Sequence, residues 1–336
     1  MTATVAINGL GRIGRATLKV LAGLDGIQIA AVNDLAPLAT LAYLLRYDSV
    51  YGRYPYTVFV DDNALLIDGR RSPVYSCPDP AELPWRDLGV ELVFECSGVF
   101  RREPELAAHL RAGARFVLLS APARTDTIST VVHGTNRADA DQHLISCASC
   151  TTNCITPVME ILQRRIGVAR DVLTTVHSYT STQHLIDGPS GDPRRGRAAA
   201  LNMVPAATGA AQATTRALPE LGGRFDGVAM RVPVPVGSIA DITVVTVRAT
   251  TVDEVNDIFR DEATGKRYRG VVGVAEDPIV SSDIVGDTRA SVIDAAMTRV
   301  GDGTLVKVMS WYDNEWGFTH LMIRTALDIL GLDHQV

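Results

Sequence analysis

The sequence predicts an α/β protein in two parts: a doubly wound, parallel-sheet first half, then an α+β domain built on a mostly antiparallel sheet. Three observations carry that expectation. A short apolar strand near the amino terminus runs into a glycine turn, strand and helix signals alternate through the first half, and the pattern changes after Cys150. Beyond that point the strands are longer and rich in Val, Thr and Ile, and most segments between them are too short for crossover helices.

Thr4 to Ile7 is the first strand, and it leads into Asn8-Gly9-Leu10-Gly11-Arg12-Ile13-Gly14, the pattern G-x-G-x-x-G. Gly9 permits the tight turn, Gly11 lets the backbone approach a pyrophosphate, and Gly14 lets a helix over Arg15 to Leu21 pack close to the strand. A second strand, Ile27 to Val32, ends in Asn33-Asp34, which puts a carboxylate twenty positions after Gly14. That is where a dinucleotide fold binds the adenosine ribose hydroxyls, and its charge repels a 2′-phosphate, so NAD is favoured over NADP. Gly9, Gly11, Arg12, Ile13, Gly14, Asn33, Asp34 and Leu35 are the candidate cofactor residues here. Arg12 either faces the pyrophosphate or is an ordinary solvated arginine.

The alternation continues with strands at Glu91 to Cys96, Phe116 to Leu119 and Thr130 to His133, and a helix over Glu103 to Ala112. Ser97-Gly98 and Ser120 follow two of these strands, at the cofactor-facing edge of such a sheet, although both stretches also suit plain turns. After Cys150, strands are expected at Val172 to Val176, Gly227 to Val232, Ile239 to Arg248 and Leu305 to Trp311. Tyr179 to Asn202, rich in Gly, Pro, Ser and Arg, is a long loop of the kind that serves function or an interface.

The run Ser149-Cys150-Thr151-Thr152-Asn153-Cys154 sits at the start of a helical apolar pattern. Unpaired N–H groups and the positive end of the helix dipole there favour a thiolate and can cradle an oxyanion or a phosphate. Cys150 is therefore either a nucleophile or a small buried cysteine in a packed helix.

At 336 residues the chain is long enough for two domains with cores of their own, and 46% apolar with 21% charged residues is ordinary for a globular protein. A net charge of −6 gives no general attraction to nucleic acid or to an anionic membrane. Residues 1 to 25 hold the glycine turn together with Arg12, Arg15 and Lys19, which suits neither a signal peptide nor a membrane span. Five cysteines, an odd number, fit reduced thiols in the cytoplasm better than a disulfide framework. Cys147, Cys150 and Cys154 lack a fourth ligand at tetrahedral-site spacing, so no metal is expected.

Seven segments together resemble the phosphorylating glyceraldehyde-3-phosphate dehydrogenase family: N-G-L-G-R-I-G-R, S-C-A-S-C-T-T-N-C, T-T-V-H-S-Y-T, D-G-P-S-G, P-A-A-T-G-A-A, M-R-V-P and S-W-Y-D-N-E-W-G-F. The resemblance spans essentially the whole chain. It implies a Rossmann NAD-binding domain over 1–149, completed by a C-terminal helix 315–336 whose pattern runs from Glu315 to Leu330, and a catalytic domain over 150–314. It implies Cys150 as the nucleophile, His177 as its base, and Asn314 as the partner of the nicotinamide carboxamide. It assigns one phosphate to Thr180, Arg231 and Arg195, and a second to Ser149, Thr151, Thr208 and Gly209. Glyceraldehyde 3-phosphate and inorganic phosphate follow as substrates, NAD as cofactor, and a homotetramer with the 179–202 loop at subunit contacts.

The sister activity, erythrose-4-phosphate dehydrogenase, is the alternative; Gly188-Pro189-Ser190-Gly191 and Thr208-Gly209-Ala210 match the phosphorolytic branch instead. A non-catalytic NAD fold that binds RNA or a partner is a third reading, opposed by the acidic charge and the Cys-His pair. The chain also departs from the family. Cys147 replaces a usual Asn and creates C-A-S-C, Phe318 replaces a frequent Tyr, Pro78 an Arg, and Val236-Gly237 an Asn-Val pair. Cys147 is read as a tolerated substitution, with a peroxide-driven disulfide to a Cys150 of lowered pKa as the competing possibility.

Overall fold

The computed structural model describes residues 2–139 and 141–333, and the chain divides into two compact units. Residues 1 and 140 of the predicted 1–149 domain, and 334–336 of the predicted 315–336 segment, lie outside the described residues. One unit comprises Met1–Val131, Arg137–Ala148 and Met322–Val336; the other comprises Val132–Asn136 and Ser149–Leu321.

The first unit is built on a nine-stranded sheet. Its central strand, Ala3–Asn8, pairs in parallel with Ile27–Asn33 on one side and with Leu92–Glu95 on the other. Phe116–Leu119, Leu144–Ser146 and Ser129–Thr130 extend the second side, all in parallel. The chain thus winds outward one way, returns to the centre and winds the other way, leaving a crevice at the carboxyl ends of Ala3–Asn8 and Leu92–Glu95. These central strands are apolar and almost wholly buried because both sheet faces are covered. The far edge is different. Arg70–Tyr75 pairs in parallel with Ile27–Asn33, but Ala64–Ile67 and Val58–Asp61 then pair antiparallel, a meander absent from the sequence expectation.

Several boundaries differ from expectation, two of them for a visible reason. The first helix is Arg12–Leu21 rather than Arg15 to Leu21, because Gly11 is its N-cap. The strand expected over Thr130 to His133 stops at Thr130: Asn136 turns its Oδ1 back onto the Val132 N–H at 2.9 Å, and Thr135 N–H bonds the Val132 carbonyl.

The second unit carries an eight-stranded sheet. Val168–Ser178, Ser238–Thr246 and Leu305–Tyr312 form its antiparallel centre. Phe225–Val232 lies parallel to Val168–Ser178, a crossover made possible because the intervening segment includes the helix Ala210–Ala217. The helix Cys150–Arg165 lays Cys154, Ile155, Val158, Met159, Ile161 and Leu162 into the core formed with this sheet's buried face. Among the described residues no helix is long and apolar enough to cross a membrane.

Candidate active site

The glycine turn is shaped by close backbone approach. Gly9 sits at φ +92°, and a Cβ there would lie 2.6 Å from the Ser97 Cα. A Cβ on Gly14 would run into the Gly9 carbonyl oxygen. Gly11 is the contrast: a Cβ there would meet no protein atom within 4 Å, and the helix it caps has no side-chain cap. That open face, with unsatisfied N–H groups behind it, fits a pyrophosphate.

Several neighbouring residues hold the turn in place. Asp34 accepts from Leu10 N–H at 2.6 Å and from Ala36 N–H at 2.8 Å, so it ties the second strand to the turn and retains lone pairs for a ligand. Asn33 is buried and spends its amide on Asn8 Oδ1 and on the Cys77 backbone. Beneath Ser97 lies Glu95, fully buried, accepting from Asn8 Nδ2 at 2.5 Å, from Ser97 N–H at 2.8 Å and from the Ser97 hydroxyl. His109 Nε2 is its fourth donor, at 3.0 Å, because Trp85 Nε1 donates to His109 Nδ1 and fixes the tautomer. Sequence reasoning missed this carboxylate. Arg12 is neither free nor simply solvated: its Nη1 meets Asp48 Oδ2 at 2.6 Å and its guanidinium stacks over Tyr51. Ile13 is partly buried, Leu35 is 63% exposed, Gly98 has positive φ, and Ser120 N–H bonds the Glu95 carbonyl.

In the second unit, Ser149 caps the helix Cys150–Arg165 by accepting from Thr152 N–H at 3.1 Å, which makes Cys150 the first helical residue. Its Sγ lies 3.4 Å from His177 Nε2. His177 stands near the end of Val168–Ser178, and the parallel register sets Arg231 directly beside it. The Ser178 carbonyl lies 2.7 Å from His177 Nδ1 and 2.9 Å from Arg231 Nη1. Arg231 Nη1 also lies 2.7 Å from Nδ1 and can only donate, so the guanidinium and the carbonyl ask opposite tautomers of the ring. We assign the Nδ1 proton to the carbonyl, to which Arg231 Nη1 donates as well, and this leaves Nε2 to accept from the Cys150 thiol. Tyr312 closes the back of the site, its hydroxyl 2.9 Å from Thr151 Oγ1 and 2.8 Å from Thr175 Oγ1, its ring edge-on to His177.

The electrostatics correct one expectation. Burial raises the Cys150 thiol above its ordinary value, outweighing Arg231 and the helix-terminus N–H groups of Thr151 and Cys150, which all pull it down. Burial, helped by Arg231, pushes His177 down to about 3. Both directions favour a thiol beside a neutral imidazole over the lowered-pKa thiolate expected from the sequence, and Cys150 itself is only partly buried. Cys147 is buried, and burial drives its thiol far above the usual range, so it is not the reachable thiol that the disulfide reading needs. All five cysteines are free, and Cys154 packs inward against Ser310.

Thr180 Oγ1 meets Thr182 Oγ1 at 2.9 Å, and Arg195 Nη1 reaches the same Thr182 hydroxyl at 3.2 Å. Arg195 is near enough to push both His177 and Arg231 downward. Arg231 keeps its Nε buried without a hydrogen-bond partner among the described residues, a donor suited to an anion. Thr182 was not foreseen. Thr208 and Gly209 start the helix Ala210–Ala217: Gly209 is its N-cap, without a side chain, and Thr208 Oγ1 accepts from Ala210 N–H at 3.2 Å. No hydrogen bond joins them to Ser149 or Thr151 among the described residues, so the second expected phosphate group is less tightly drawn together. Asn314 lies 2.9 Å from Ser178 Oγ.

Residues 3–103 match the family model for the glyceraldehyde 3-phosphate dehydrogenase NAD binding domain, and 149–314 match that for its C-terminal domain. The glyceraldehyde-3-phosphate dehydrogenase of Zymomonas mobilis is 44% identical over 330 residues, covering 97% of this chain and 98% of the relative. That of Streptomyces coelicolor is 45% identical over 328 residues, 96% and 97% of the two chains, and that of Thermotoga maritima 47% over 327, 96% and 98%. With matches of this identity running nearly end to end, the chain belongs to the glyceraldehyde-3-phosphate dehydrogenase family.

Proposed function

We propose that the protein oxidises D-glyceraldehyde 3-phosphate with NAD and inorganic phosphate to 1,3-bisphosphoglycerate, a reaction of glycolysis, in the cytoplasm. The observation that carries this reading is Cys150 Sγ 3.4 Å from a neutral His177 Nε2, with the unpartnered Arg231 Nε beside them. Cys150 attacks the aldehyde carbon while its proton passes through His177 to the new oxygen, giving a thiohemiacetal. NAD, when bound, supplies the hydride acceptor. His177 takes the hydroxyl proton as the hydride leaves, which converts the thiohemiacetal to a thioester. A phosphate oxygen then attacks the thioester carbon, and Cys150 departs and regains its proton from His177. Neutral imidazole is the form that accepts both protons.

Thr180, Arg195 and Arg231, with Thr182, suit the substrate phosphate; Ser149, Thr151, Thr208 and Gly209 suit the attacking one. Gly9, Gly11, Arg12, Ile13, Gly14, Asn33, Asp34, Leu35, Ser97, Gly98 and Ser120 line the dinucleotide, with Asn314 at its carboxamide. We assign 1–149 and 315–336 to NAD binding and 150–314 to catalysis. A homotetramer accords with two exposed apolar surfaces. One is the outer face of the second sheet, where register sets Val245 opposite Leu305 and puts Val172 and Val228 on the same face; the other is the 179–202 loop, with Leu185 80% and Ile186 76% exposed.

Mixing the enzyme with aldehyde and NAD in the absence of phosphate tests the mechanism. A 3-phosphoglyceroyl mass on the Cys150 peptide, discharged when phosphate is added, is the expected result. Acylation elsewhere, or discharge by water as fast as by phosphate, contradicts it.

A further inference from the structure

Asn314 is only 6% exposed, yet its two amide atoms are treated very differently. Oδ1 accepts three hydrogen bonds: from Ser178 Oγ at 2.9 Å, Gly237 N–H at 3.1 Å and Ser238 Oγ at 3.3 Å. Nδ2 makes no hydrogen bond among the described residues. The orientation is decided by Gly237, since a backbone N–H donates and cannot accept, so a flipped amide would set donor against donor. Ser238 Oγ also accepts from Ser178 N–H at 3.1 Å, which commits its own proton to Asn314. Gly237 reaches this place at φ +94°, where a Cβ would strike the Ser281 carbonyl oxygen. A residue with a side chain could not bring its N–H there without moving that segment.

We propose that Ser178, Ser238 and Gly237 are positioning residues that lock the Asn314 amide with its donor outward, so that the chain selects the carbonyl of the nicotinamide carboxamide. This rests on the reading of Asn314 as the carboxamide partner. Ser178 has a second duty, because its carbonyl also holds His177 and Arg231. One residue thereby aligns the base and the ring that receives the hydride.

Calorimetric titration with NAD and with ADP-ribose, which lacks the nicotinamide, separates this from a general structural role. Ser178→Ala and Ser238→Ala should each weaken NAD about three- to tenfold, and together by more, while ADP-ribose affinity stays within about twofold of wild type. Asn314→Asp keeps an inward oxygen for all three donors but turns the outward donor into an acceptor, and should erase the preference for NAD over ADP-ribose. Parallel weakening of both ligands in the serine variants overturns the proposal. So does an unchanged NAD affinity in the serine variants when Asn314→Asp has lost its preference. An unchanged preference in Asn314→Asp removes the Asn314 reading itself, and the proposal with it.

Discussion

Two helices in this molecule begin at the proposed cofactor and catalytic residues, and they are built on different principles. The helix Arg12–Leu21 starts at Gly11 with no side-chain cap and an open face. The helix Cys150–Arg165 starts at Ser149, which satisfies the first turn with its own hydroxyl and leaves Cys150 half-buried beside His177. At the first, function depends on what is missing: side chains that would block backbone approach. At the second it depends on burial, which overrides the dipole and leaves an uncharged pair. Steric requirements can be read from glycine spacing, whereas desolvation is set by residues far away in sequence.

The comparison can be broken at either end. Cys150→Ser should have the largest effect, lowering turnover on the order of 10⁴-fold or more while NAD affinity measured by fluorescence stays near wild type. Gly14→Ala should act in the opposite way, on structure and cofactor together. Its Cβ meets the Gly9 backbone, so a loss of about 3 kcal/mol or more in urea unfolding is expected, with NAD binding lost alongside it.

His177 makes the burial argument testable through pH. Its ordinary value is 6.5 and its folded value about 3, so the unfolded chain binds the proton first. Its contribution to stability is complete above about pH 6.5 and is lost as pH falls toward 3. Acidification from pH 7 to pH 5 should therefore cost about 2 kcal/mol that His177→Asn does not lose. Identical urea profiles for the two proteins at both pH values would remove the neutral-imidazole assignment. The smallest expected effect is at Asp34. Asp34→Asn should raise NADP efficiency about tenfold by removing charge repulsion, with stability little changed because the Leu10 N–H can still find an amide oxygen.

Much of the first sheet was legible because buried parallel strands read as apolar runs closed by turn residues. In the 58–75 meander, which was missed, the edge strand Val58–Asp61 is largely exposed, with Phe59 and Val60 facing solvent, while Ala64–Ile67 behind it is buried. Its turns did carry a signal: Asp62 and Asp68 both take positive φ, and Asp68-Gly69 is a hairpin dipeptide. Cys150 and His177 were found through their motifs and lie together as the resemblance implied. Thr182, Tyr312 and Glu95 were not, since each matters through a partner supplied by another element. The direction in which burial moves the Cys150 thiol was not legible for the same reason. Helix position is local, but the Val168–Ser178 and Phe225–Val232 pairing that sets His177 beside Arg231 is not.

Steady-state NADH formation with glyceraldehyde 3-phosphate and with erythrose 4-phosphate, each with and without inorganic phosphate, tests the central claim most directly. Sustained turnover with glyceraldehyde 3-phosphate is expected only when phosphate is present, with a single stoichiometric burst without it. Equal sustained rates with and without phosphate, or a preference for erythrose 4-phosphate, would contradict it.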